Sequence, residues 1–177
     1  MMPTETTRHS SILFMSFILF FAFTVTASLA QQKISVAGRH TLATITDNAL
    51  KVGDTKGHIV SLDKFEGSNV STGANKFMDR ALDAGMTFGD AVNGNGRHEG
   101  YGTFFLNGDT IFWRHKGKTV TTLSGDGRPV TTMEGTFTYT NGTGKYKNIQ
   151  GNGTYKGKSI SKMIMIVDWQ GEYFIKK

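Results

Sequence analysis

Three carboxylates stand where an acid could do chemistry. Glu134, Asp168 and Glu172 each lie within a run of alternating apolar and polar residues, so each either faces water or lines a cavity. Inside a cavity, desolvation raises a carboxyl pKa and suits the group to general acid or base work. These three are the candidate catalytic residues. Tyr101, Trp113, Phe137, Tyr139, Trp169 and Tyr173 fall in runs of the same kind. Rings in such positions fill or wall a barrel, and Tyr and Trp tips supply the few polar contacts that orient an apolar guest. They are the candidate ligand-binding residues.

Other chemistries find no support. The chain has no cysteine, so thiol nucleophiles and thiolate metal sites are excluded, and no serine sits in a G-x-S-x-G elbow. His40, His58, His98 and His115 are scattered, without H-x-H or H-E-x-x-H spacing, so no metal site is expected. His98 and Glu99 are adjacent and point to opposite faces of a strand. Gly94, Gly96 and Gly100, like Gly151, Gly153 and Gly157, follow G-x-G-x-x-x-G without opening a helix. They read as turn glycines rather than a nucleotide fingerprint, and no cofactor is implied.

Positioning these side chains falls to strands. From Lys33 onward apolar residues recur at a period of two, interrupted by glycine and asparagine clusters about every ten residues. The clearest hairpin runs from Gly100 to Leu106, turns at Asn107-Gly108-Asp109 and returns through Thr110 to His115, since Asn-Gly takes the positive φ angles of a tight turn. Thr119 to Leu123 and Val130 to Tyr139 form a second. His40 to Asp47 with His58 to Phe65, and Gly153 to Ser161 with Lys162 to Tyr173, complete the pattern. Asn75 to Gly85 is the one stretch that could be helical, with Met78, Ala81 and Leu82 on one face, but Leu82, Ala84, Met86 and Phe88 alternate, and the reading is a strand with a short turn before it. On the last strand Met163, Met165, Val167, Trp169 and Tyr173 share one face and Ile164, Ile166, Asp168, Gln170 and Glu172 the other, so parity alone leaves the inward face open. The expectation is an all-β, single antiparallel barrel of about eight strands, because closure removes exposed edges.

Residues 1–30 read as a cleaved signal peptide. Arg8 precedes an apolar run from Ile12 to Val25, and Ser28 and Ala30 occupy the positions a signal peptidase reads. The run is short for a membrane anchor, so the expected location is periplasmic or secreted, with no stable membrane anchor after cleavage. Residues 31–177 would then form the barrel domain. They keep 19 basic and 13 acidic residues, all 22 glycines and only Pro129 of the two prolines. Lys145, Lys147, Lys156, Lys158, Lys162, Lys176 and Lys177 crowd the C-terminal part, but lysines on turns and edges keep sheets soluble, and no nucleic acid partner is expected of an exported chain. Asn69, Asn141 and Asn152 begin glycosylation sequons.

The segment Gly142-Thr143-Gly144-Lys145-Tyr146-Lys147-Asn148-Ile149-Gln150-Gly151-Asn152-Gly153-Thr154-Tyr155 resembles the G-T-G-[KR]-[FY]-x-x-x-x-G-x-G-T pattern of the allene oxide cyclase and dirigent-like barrel proteins, which include small exported bacterial members. The resemblance implies a lipocalin- or allene-oxide-cyclase-like eight-stranded barrel with an apolar cavity. It carries no catalytic position onto this chain. The expected function is binding of a small apolar or amphipathic ligand. The alternatives are a cyclase- or dirigent-type enzyme acting on a reactive lipid or phenolic intermediate, and a non-catalytic structural or surface-interaction protein. Homo-oligomerisation is left open.

Overall fold

Eight antiparallel strands close into a ring in strict chain order in the computed structural model, which describes residues 31–177. The signal peptide inferred for residues 1–30 lies outside them. The strands are β1 (Ile34–Lys51), β2 (His58–Ser71), β3 (Leu82–Val92), β4 (Asn95–Leu106), β5 (Asp109–Leu123), β6 (Pro129–Gly142), β7 (Ile149–Ser159) and β8 (Ile164–Ile175), with a 3-10 turn at Gly144–Tyr146. Each pairs with its neighbour in sequence, and β8 closes the ring on β1 from Ile34↔Tyr173 to Ala43↔Ile164. The barrel expected from the strand rhythm is thus present. The Asn107-Gly108 turn joins β4 to β5 with positive φ at both residues, as a type I′ hairpin requires.

Alternation sorts the side chains. Val36, Phe65, Phe104, Ile111, Trp113, Phe137, Tyr139, Ile149, Tyr155, Val167 and Trp169 point inward and are buried. By transfer of apolar area, each such side chain contributes about 1.5–3 kcal/mol. On β8 the parity resolves: Met165, Val167, Trp169 and Tyr173 face the core, while Asp168 and Gln170 face water.

Large rings fit because glycines face them. A Cβ on Gly38 would lie 2.6 Å from the Trp169 ring, and one on Gly100 would lie 2.7 Å from His115. The ring of Trp113 lies over Gly102 and that of Phe137 over Gly153. This corrects the expectation that the two glycine clusters serve turns. Gly94 does, at φ +74°, but Gly96, Gly100, Gly151, Gly153 and Gly157 lie on strands: Gly100 and Gly153 face the His115 and Phe137 rings, Gly96 and Gly151 lie against backbone of the neighbouring strand, and Gly157 meets Met133 and Val167.

β3 starts at Leu82, so the alternation from Leu82 to Phe88 is the expected strand, and residues 72–81 are the turn before it. Residues 72–81 fold into one end of the barrel as a plug that buries Phe77, Met78 and Ala81. Met78 and Arg80 adopt left-handed backbone there (φ 47° and 65°), a conformation costing on the order of 1 kcal/mol each. Asn69 offsets that cost. Its side chain is fully buried, donates through Nδ2 to the carbonyls of Phe77 (3.3 Å) and Met78 (2.8 Å), and accepts from Trp169 Nε1 (2.9 Å). Of the three sequons, Asn69 is therefore committed to the interior, whereas Asn141 and Asn152 face solvent. Ser71 N–H donates to Asp79 Oδ1 (2.8 Å), pinning the plug from the strand side.

Candidate functional site

Between the plug and the opposite end the interior holds a cavity of about 180 Å³. An apolar cavity of roughly 150 Å³ accommodates benzene, so this one is of single-ring size. Phe104, Trp113, Phe137, Tyr139 and Trp169 form its inner wall, and Phe65, Met133, Met165 and Val167 continue outward. Thr44, Asp63 and Thr87, only partly buried, mark the polar outer end.

Four of the six candidate ligand-binding aromatics, Trp113, Phe137, Tyr139 and Trp169, line this cavity together. Tyr173 also points inward but packs under the plug, its ring centroid 4.8 Å from Phe77, and is not part of the wall. Tyr101 corrects the expectation outright. It is 68% exposed on the outer face of β4, opposite Met86 and Arg114, because Gly102 and not Tyr101 takes the inward position beside Trp113.

The three candidate catalytic acids are likewise outside. Asp168 accepts two hydrogen bonds from Arg39 (2.6 and 3.0 Å), which hold its carboxyl below the usual range. Glu172 pairs with Lys33. Glu134 sits on the outer face of β6 between Lys118 and Lys156 on the flanking strands. Their neighbours Met133, Val167 and Tyr173 take the inward positions, and strand alternation then puts the acids in water. None can reach a molecule in the cavity.

Histidines and two other aspartates supply the interior polarity instead. His40 (β1) Nδ1 lies against Asp83 (β3) Oδ2, both side chains buried and that of Asp83 fully inaccessible. The His40 ring stands edge-on to Phe104 (5.2 Å), Trp169 (5.7 Å) and Trp113 (6.2 Å), and its Nε2 has no hydrogen-bond partner. Farther out, His115 Nε2 meets Thr87 Oγ1 at 3.2 Å. Burial, reinforced by His98 and His40, pushes the His115 pKa down to about 4, so it is neutral at pH 7. His98 is bonded on both nitrogens, to Thr119 Oγ1 (2.8 Å) and to the Tyr155 hydroxyl (2.6 Å), a contact that spans the barrel from β4 to β7. Burial lowers the His98 pKa as well. At the outer end, burial and the facing Asp47 raise the Asp63 carboxyl, against donation from Ser61 Oγ at 3.0 Å.

Positions 40, 98 and 115 look unrelated along the chain. They converge because β4 and β5 are paired and β1 lies across the barrel from them, so a sequence motif could not have revealed them. The available signal was parity: each histidine alternates with inward glycines or rings, namely Gly38, Gly100 and Trp113.

The unpartnered polar atoms are the most informative feature of the wall. Buried side-chain atoms without a hydrogen bond are His40 Nε2, Asp63 Oδ1, Trp113 Nε1, His115 Nδ1 and the Tyr139 hydroxyl, whose five residues line the same cavity, and both Asp83 carboxylate oxygens, which lie off its wall. Native interiors leave few such atoms, since each costs about 1–3 kcal/mol. Burial also raises the Tyr139 pKa steeply, with Tyr173 and Tyr146 adding to it, so the phenol keeps its proton and is a donor. Among the described residues no three His, Asp or Glu side chains gather as metal ligands, and no helix is long and apolar enough to cross a membrane. No protein-family model, curated protein or solved structure matches the chain.

Proposed function

We propose that the barrel binds one small, neutral ring compound bearing an oxygen, such as a phenol or an aryl ketone, and that it does so after export. The observation that carries this is the convergence of unpartnered buried donors, Trp113 Nε1 and Tyr139 O–H, with His40 Nε2 on one ring-lined cavity. Neutrality follows from electrostatics. His40 and Asp83 already form a pair and His115 is uncharged, so an added ionic group would be buried without a counter-ion. Size follows from the volume. A molecule of about eight non-hydrogen atoms fits, and a full-length lipid does not. Support also comes from the likeness of Gly142 to Tyr155 to the allene oxide cyclase and dirigent-like barrels, whose interiors hold apolar molecules, and export is supported by the pattern of residues 1–30.

Both tryptophans of the chain line the cavity, which makes binding directly visible. Titration of residues 31–177 with p-cresol should quench Trp fluorescence saturably, with one molecule bound by calorimetry. A Kd between about 10 μM and 1 mM, −4 to −7 kcal/mol, lies within the efficiency range of ligands this small. Linear, unsaturable quenching by p-cresol and acetophenone alike would refute the proposal. Export predicts a secreted or periplasmic form whose first residue is Gln31, checked by N-terminal sequencing.

A further inference from the structure

We infer that His40 is a general base that removes a proton from the carbon next to the carbonyl of a bound aryl alkyl ketone, with Asp83 as its positioning residue. The inference rests on the cavity-binding proposal and adds a reaction to it.

A fully buried carboxylate needs a reason. Packing alone would be served as well by an apolar pair, because two desolvated charges barely recover their hydration cost. Asp83 is inaccessible to solvent, and its Oδ2 lies against Nδ1 of His40, the nitrogen that carries the proton of the neutral imidazole. A carboxylate on Nδ1 fixes the imidazole's orientation and tautomer, leaves the Nε2 lone pair free, and stabilises the imidazolium once a proton arrives. Nε2 is the nitrogen without a partner. His115 offers no such arrangement: it has no carboxylate partner and meets only the Thr87 hydroxyl. The outer acids Glu134, Asp168 and Glu172 are separated from the cavity by the sheet.

The remaining unpartnered donors fit the other half of the reaction. As the α C–H bond breaks, the proton forms an N–H bond at Nε2. The C–H electron pair becomes the enolate C=C bond while the carbonyl π pair moves onto oxygen. That oxygen then accepts from Trp113 Nε1–H or Tyr139 O–H, both on the cavity wall and both unengaged. Return of a proton from Nε2 to carbon regenerates the ketone. No oxidant, metal or co-reactant enters. The ring wall excludes water around the dyad and strengthens every one of these interactions.

Acetophenone in D₂O tests this, because an enolisation in which the Nε2 proton exchanges with solvent before return replaces a methyl hydrogen with deuterium, and the loss is read by proton NMR. With each protein saturated by acetophenone, the wild type should exchange it at least 100-fold faster than His40→Gln, within the usual reach of general base catalysis. Asp83→Asn should keep the wild-type Kd within threefold and lower exchange at least tenfold, a separation of turnover from binding that a purely structural residue would not give. Should Asp83→Asn fail to fold, added imidazole should restore exchange to His40→Ala. Saturable acetophenone binding with exchange equal to that of His40→Gln would overturn the catalytic inference alone. Absence of binding by the wild type would overturn the cavity proposal and this inference with it.

Discussion

Asn69→Leu should be among the most damaging single changes in the protein despite preserving side-chain volume. The substitution removes two donations, to Phe77 O at 3.3 Å and Met78 O at 2.8 Å, and one acceptance, from Trp169 Nε1 at 2.9 Å. Three polar groups would be left in an interior where Asn69 itself is fully buried. At about 1–3 kcal/mol for each well-made bond lost this way, and little for the long one, the cost is about 3–5 kcal/mol. Domains of this kind have about 5–15 kcal/mol in total, so the urea midpoint should fall by about a fifth or more at unchanged m-value. The same change unpins Trp169, a wall of the cavity, and p-cresol affinity should drop together with stability. A loss below about 1 kcal/mol, or full stability with a displaced plug, would refute the assignment of Asn69 as the tie between plug and barrel.

Acid should expose His115. Its folded pKa near 4 lies below the usual 6.5, so the unfolded chain binds the extra proton first; the stabilisation is complete above pH 6.5 and is lost as pH falls toward 4. Between pH 7 and pH 5 the loss is about 2 kcal/mol, measured as the difference in urea-derived stability between wild type and His115→Gln, and parallel pH profiles would contradict it. The rim works with the opposite sign. His58 is bridged by Asp90 and Asp54, which raise its pKa, so that contribution is present in acid and fades as pH rises through the folded value, visible as a delayed His58 titration by NMR. Gly102→Ala should lower the melting temperature and blue-shift or redden Trp emission, because its Cβ would enter the Trp113 ring; unchanged spectra would argue against that contact. Asp168→Asn, on the outer face beside Arg39, should leave p-cresol binding untouched.

Architecture was legible because closure and hairpins leave local marks: alternation, Asn107-Gly108, and a single proline at the start of β6. The site was only half legible. Trp113, Phe137, Tyr139 and Trp169 announced themselves as rings on strands, yet the side chains that give the cavity polarity did not. His40, Asp63 and His115 on the wall, with Asp83 and His98 beside His40 and His115, come from five strands, and only closure gathers them. The acids Asp168 and Glu172 misled because Ile164 and Ile166 beside them are apolar, which hid the outward face of β8. The turn before Leu82 was legible, but its burial was not: Phe77, Met78 and Ala81 are apolar because they plug an end of the barrel. Glycine was the most ambiguous letter, since it serves both a turn at position 94 and an aromatic neighbour at position 102.

Those inward glycines make the interior a mould whose free volume is divided into ring-sized slots. Strand number sets the bore, but the space left for a guest depends on which slots are taken by the protein's own rings. Exchanging Phe137 or Trp113 for a short side chain would vacate the recess over Gly153 or Gly102 without moving a strand. Selectivity in such a barrel can therefore change in discrete steps, one ring at a time, while the backbone that defines the fold stays where it is.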